Sequence, residues 1–128
     1  MTEQMPLLQP IIDVHAHLGQ YSNATMSADA AELSRLYKQA GITHGVAFSI
    51  EACYGAIDLG NKNTIAEVAG QETLSAMVVG HPDHPESSAR WIREAAGNPK
   101  IVGVKLHPAF GAQTAETDVR RSSLLGIA

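Results

Sequence analysis

Cysteine is almost missing from this chain. Cys53 stands alone, so no internal disulfide can form and a reducing, cytoplasmic setting is expected. Basic charge is scarce too. The formal net charge of -4 argues against nucleic acid and anionic membranes as partners, since both favour basic surfaces. No apolar run approaches the ~20 residues of a membrane span. The first ten residues, MTEQMPLLQP, carry Glu3 and lack the basic start and long apolar stretch of a signal peptide. What is present is ordinary globular composition, 45% hydrophobic and 17% charged. A length of 128 residues suffices for one domain with a sizeable core and not for two.

Within that length the chain repeats one architectural rhythm. Strands are predicted near 11–17 (IIDVHAH), 42–50 (ITHGVAFSI), 73–80 (TLSAMVVG) and 100–106 (KIVGVKL). Between the first two, after a loop through Tyr21, Ser22 and Asn23, a helix is predicted over 29–40. Leu33, Leu36, Tyr37 and Ala40 fall on one of its faces, and Gly41 stops it. Asn63 is read as the cap of a short second helix bearing Ile65, Val68 and Ala69. Asp83 and Glu86 form a capping-box pattern around Pro85, ahead of a third helix carrying Trp91, Ile92, Ala95 and Ala96. Each strand–helix unit takes roughly 30 residues, the size of a βαβ element. Alternation of this kind implies an α/β fold with a parallel sheet. Four units make either a small open sheet or the first half of a (β/α)8 barrel of the TIM type, which needs about 250 residues. Residues 1–10 are read as an N-terminal extension, 11–108 as the partial barrel and 109–128 as an irregular tail. The loss of pattern after Pro108 leads to the expectation that the chain is a fragment or ends after a shifted reading frame.

Chemistry concentrates at the predicted strand ends. Side chains alternate along a strand, so Asp13, His15 and His17 are expected on one face, with Ile12, Val14, Ala16 and Leu18 packed against helices on the other. Two imidazoles at i and i+2 can converge on one divalent ion, zinc foremost. Asp13, one step deeper, is placed to orient a ring nitrogen. In the fourth strand Gly103, Lys105 and His107 oppose the apolar Val102, Val104 and Leu106. Lys105 is a candidate for a substrate carboxylate or, once carboxylated, for the metal, and His107 is a candidate substrate-binding residue. The plainer readings are a lysine whose ammonium reaches water at the strand mouth and a histidine that precedes a turn. Ser49 and Glu51 are expected to share a face of the second strand. HPDHPE (81–86) is read as a loop and helix cap, His44 as structural, and Cys53 as lacking a partner base.

DVHAHLG at 13–19 and GVKLHPAFG at 103–111 together resemble the amidohydrolase superfamily, in its amidohydrolase-related branch of aminocarboxymuconate-semialdehyde decarboxylase-like enzymes. The resemblance spans residues from about 10 to 111. It implies a metal-dependent (β/α)8 barrel that hydrolyses C–N or C–O bonds or removes a carboxylate group without oxidation. It implies further that His15 and His17 are metal ligands, and that Lys105 sits where some members carry a carboxylated, metal-bridging lysine. A histidine after strand five, another on strand six and an aspartate after strand eight belong to the same pattern and find no position here.

Three readings follow. The first is a metal-dependent hydrolase or carboxy-lyase acting on a small molecule and represented by an incomplete chain. The second is a catalytically inactive half-barrel or assembly module, homodimeric through its exposed barrel edges. The third is a small open α/β binding domain in which the histidines are incidental.

Overall fold

The computed structural model describes residues 9–20 and 27–108. Most of the N-terminal extension, the loop through Tyr21–Asn23 and the tail from 109 lie outside the described residues. In chain order the elements are β1 (Ile12–Gln20), β2 (Ser27–Ala28), α1 (Ala30–Ala40), β3 (His44–Ser49), α2 (Ile50–Cys53), α3 (Ile57–Ala69), β4 (Leu74–Val79), α4 (Pro85–Ala95) and β5 (Ile101–Lys105). They form one five-stranded sheet in the order β2-β1-β3-β4-β5. The two-residue β2 pairs antiparallel with the end of β1 through Gly19 and Gln20, and the other pairings are parallel. The chain is thus α/β with a mostly parallel sheet and interleaved helices, as its alternating pattern requires.

Each new parallel strand is added on the same side of the last. Right-handed crossovers in one direction place the connecting helices on one face of a sheet, and α3 accordingly packs against both α1 and α4. The core falls into two clusters. Ala16, Leu18, Tyr37, Ala47, Val68 and Leu74 form one cluster, and Phe48, Ile50, Cys53, Val78, Val79 and Trp91 a second.

Helix starts depend on local polar groups. Asp29 caps α1 by accepting from the Glu32 backbone N–H at 2.8 Å, and Glu67 of α3 accepts from Ala30 N at 2.8 Å, so two of the orphan donors are satisfied. Gly41 closes α1 at a φ of 74°, left-handed, as its position after the last apolar residue predicts. Leu36, expected on the buried face of α1, is exposed.

Three local expectations are corrected. Asn63 is not a cap: α3 begins at Ile57, and Asn63 lies exposed within it. Pro85 occupies the first turn of α4 and makes His84 the N-cap, one residue beyond the Asp83 of the anticipated box. The run at 42–50 ends its strand at Ser49, whose Oγ accepts from Ala52 N at 3.1 Å and starts the short α2, so Ser49 and Glu51 do not share a strand face.

Candidate functional site

The geometry of the site begins with an irregularity in β1. Asp13 pairs with Gly45 and Ala16 with Ala47, so three steps on β1 match two on β3 and one residue is extra. Partners in register share a face. Asp13 and Ala16 therefore lie on the helical face with Gly45 and Ala47. The simple alternation expected of Asp13, His15 and His17 is broken, and the bulge turns the two histidines to the face without helices. Ile12 and Val14, expected against helices, are 57% and 67% exposed.

Asp13 is engaged on the helical side. The Tyr37 hydroxyl donates to its Oδ2 at 2.6 Å, and the His15 backbone N–H donates to its Oδ1 at 3.0 Å. The Tyr37 bond and then the His15 N–H hold the carboxyl below its ordinary value of 3.8, against a smaller upward push from burial. Burial, followed by the same bond, raises the Tyr37 hydroxyl far up, so it remains a donor. A depressed carboxyl stabilises the fold above its unfolded-state value, and that stabilisation is lost as the pH falls through the lower, folded value. Tyr37→Phe is therefore expected to cost about 1–2 kcal/mol at neutral pH. The difference from wild type should shrink below about pH 4. Urea unfolding at pH 7 and pH 3 checks this, and a difference that is constant with pH would show that the bond does not act through the ionised carboxylate.

On the opposite face three cation-capable groups meet over one aromatic ring. The rings of His15 and His17 lie 5.1 Å apart with their Nε2 atoms at 3.1 Å. Both meet Phe48 edge-on, at centroid distances of 5.2 and 4.7 Å. Phe48 pairs in register with His17. From the far side of β4, Lys105 brings its Nζ to 4.6 Å from the same ring centroid. Val79 pairs with Lys105, and Gly80 N donates to Lys105 O at 3.0 Å, which fixes where the lysine leaves the sheet. Burial first, then the charges of His15, Lys105 and His107, hold His17 below its usual range, so its neutral imidazole prevails near pH 7. His107, two residues past Lys105, is half-buried and close enough for its charge to be felt at His17.

Other sequence candidates fall around this cluster. Glu51 of α2 accepts from Gln20 N at 3.2 Å and packs against Gly19, whose φ of 96° lies in the left-handed region that favours glycine. Burial pushes the Cys53 thiol up to about 11 despite the opposing pull of Lys105, so it is no nucleophile near neutrality. His81, two residues past β4, is buried. Its backbone N–H donates to Ser88 Oγ at 2.8 Å, and its Nδ1 accepts from Asp83 N at 3.2 Å. His44 bonds Ser75 between β3 and β4 at 2.8 Å. Phe48 is what the sequence reading missed. Its signal was available, because alternation from the buried Ala47 puts Phe48 on the face that the histidines use.

Fold and site together define an α/β chain whose imidazole and ammonium groups gather at the carboxyl ends of parallel strands, where ligands of such folds bind. The chain is 30% identical over 100 residues to pyridoxine 5'-phosphate synthase of Synechococcus sp. (strain CC9605). The match takes in 77% of this chain, which spans 39% of the length of that relative. No family model matches the chain, and no solved structure matches it.

These findings correct the resemblance to the amidohydrolase superfamily. The similarity found is to a different enzyme, so the expectation of a metal-dependent hydrolase or decarboxylating lyase falls with the resemblance, and the inactive half-barrel gains no support either. A strand-end HxH pair is short enough to arise outside any one family. Among the described residues no group of three or more His, Cys, Asp or Glu side chains is arranged to hold a metal ion. The similarity to a different enzyme is what overturns the expectation of a zinc-dependent hydrolase or decarboxylase. Among the same residues no helix is long and apolar enough to cross a membrane.

Proposed function

We propose that the chain is a portion of a (β/α)8-type barrel enzyme that binds a small anionic, phosphate-bearing molecule at His15, His17, Lys105 and His107. The gathering of His15, His17 and Lys105 over Phe48 carries this reading, since a lysine point charge beside imidazole donors suits a phosphate group. Strand order supports the barrel: β1, β3, β4 and β5 follow one another without the reversal of a doubly wound sheet. The similarity to the Synechococcus protein, a pyridoxine 5'-phosphate synthase, supports the phosphate. Lys105 supplies charge, and the neutral His17 accepts or relays a proton through the 3.1 Å contact with His15.

Titration of the chain with inorganic phosphate and with pyridoxine 5'-phosphate tests this, followed by NMR at the histidine side chains and the Lys105 amide. Saturable shifts are expected, weakened about tenfold or more in Lys105→Gln because a charge-assisted hydrogen bond is lost. Titrations that never saturate, or a Lys105→Gln variant that binds as well as wild type, would sink the proposal.

A divalent cation such as zinc is a second reading, favoured by one observation. Two nitrogens bound to the same ion at about 2.0–2.1 Å stand roughly 3.0–3.4 Å apart, and the two Nε2 atoms are 3.1 Å apart. His15 and His17 would hold such an ion, which when bound would polarise a ligand oxygen. With two protein ligands its affinity is weak. Zinc added to the same NMR sample decides, since unchanged imidazole signals at millimolar metal exclude it.

A further inference from the structure

We propose that Phe48 is a positioning residue of this site, its ring holding the Lys105 ammonium beside the histidine pair without neutralising it. The inference rests on reading the cluster as an anion site. A lysine at the mouth of a strand ordinarily extends its four-carbon stem and leaves the ammonium in water. Here the ammonium lies over an aromatic face, 4.6 Å from the centroid, drawn by the negative face of the ring.

The same ring meets both imidazoles at an interplanar angle of 64°, so one side chain fixes three groups that come from β1 and from the end of β5. Phe48 is 0% exposed and belongs to the cluster of Ile50, Ala52, Cys53, Val78 and Val79. Leucine would keep an apolar side chain there at the cost of a small void, but it would offer the ammonium nothing. A carboxylate in the same place would hold Lys105 more firmly and cancel its charge. A phenyl ring accepts no conventional hydrogen bond, so the three ammonium donors stay available to an anion.

Phe48→Leu and Phe48→Tyr test this through two independent signals. The first is the chemical shift of the Lys105 ε-methylene protons, which a ring beneath them moves upfield without any ligand. The second is the Kd for inorganic phosphate. Wild type and Phe48→Tyr should show the displaced ε-methylene signal and similar affinity. Phe48→Leu should return the signal to its position in an unstructured lysine and bind phosphate roughly two- to tenfold more weakly, with its backbone spectrum retained.

A wild-type ε-methylene signal at the unstructured position overturns the inference, even if Phe48→Leu fails to fold. So does a folded Phe48→Leu that keeps wild-type affinity. A displaced signal in a wild-type chain that binds no phosphate would leave the ring's hold on Lys105 standing and remove the anion site instead.

Discussion

Asn61→Ala is expected to lower the unfolding free energy by about 3 kcal/mol, since it leaves two buried backbone groups without partners at about 1–3 kcal/mol each. Asn61 lies within α3 and is 1% exposed. Its amide donates from Nδ2 to Val79 O at 3.0 Å and accepts from Val79 N at Oδ1 at 2.8 Å. One side chain thereby completes both hydrogen bonds at the last residue of β4. The consequence reaches the proposed anion site because Val79 is the residue that pairs with Lys105. Equilibrium urea unfolding measures the loss, and hydrogen exchange at Val79 should accelerate in parallel. A loss under about 1 kcal/mol would mean that water replaces both bonds and that Asn61 is not what ties α3 to the strand end.

The neighbouring residue sets two effects against each other. Alanine for glycine inside a helix ordinarily stabilises by about 1 kcal/mol. At Gly60 a Cβ would come within 2.3 Å of Ser49 Oγ, 2.6 Å of Ala52 N and 2.8 Å of Ala52 Cβ. The serine hydroxyl can rotate, but the backbone nitrogen of α2 cannot move without disturbing the cap that Ser49 provides. Overpacking against backbone, typically about 1–3 kcal/mol and occasionally more, outweighs the propensity gain. The net expectation for Gly60→Ala is a loss of about 2 kcal/mol by thermal or urea unfolding. Gly70→Ala is the control, since nothing lies within 4 Å of a Cβ there. If Gly60→Ala proves as neutral as Gly70→Ala, the close approach of α3 to α2 is not obligatory.

These two residues also show where the sequence could be read and where it could not. The periodicity of α1 and the apolar runs of β3, β4 and β5 marked their elements because burial acts on each run as a unit. In α3 the segment IDLGNKN has poor intrinsic helix formers, and its first two turns owe their conformation to Gly60, Asn61 and the buried Thr64 meeting other elements. Such partners are remote in sequence, and the start of the helix was placed at Asn63 for that reason.

The site follows the same logic. His15, His17 and Lys105 could be named from residue type and spacing. The extra residue in β1 could not be, and it is what separates Asp13 from the histidines and hands it to Tyr37. Phe48 sits in a uniformly apolar run, where only alternation from Ala47 marks its face. The larger misreading was of kinship, where two short motifs suggested a family and the similarity found over 100 residues lies elsewhere.

The order β1-β3-β4-β5 also bears on how the chain is made. Among these four parallel strands spatial order equals synthetic order, so a chain emerging from the ribosome can add each of them to an edge that already exists. No later strand has to be inserted between earlier neighbours, and no finished pairing has to be undone. At the amino-terminal end of the sheet, Lys100 donates from Nζ to the carbonyls of Gln71 and Leu74 as β5 arrives. The last described strand thus secures the turn made just before its neighbour, and construction runs in one direction, like courses laid on a wall.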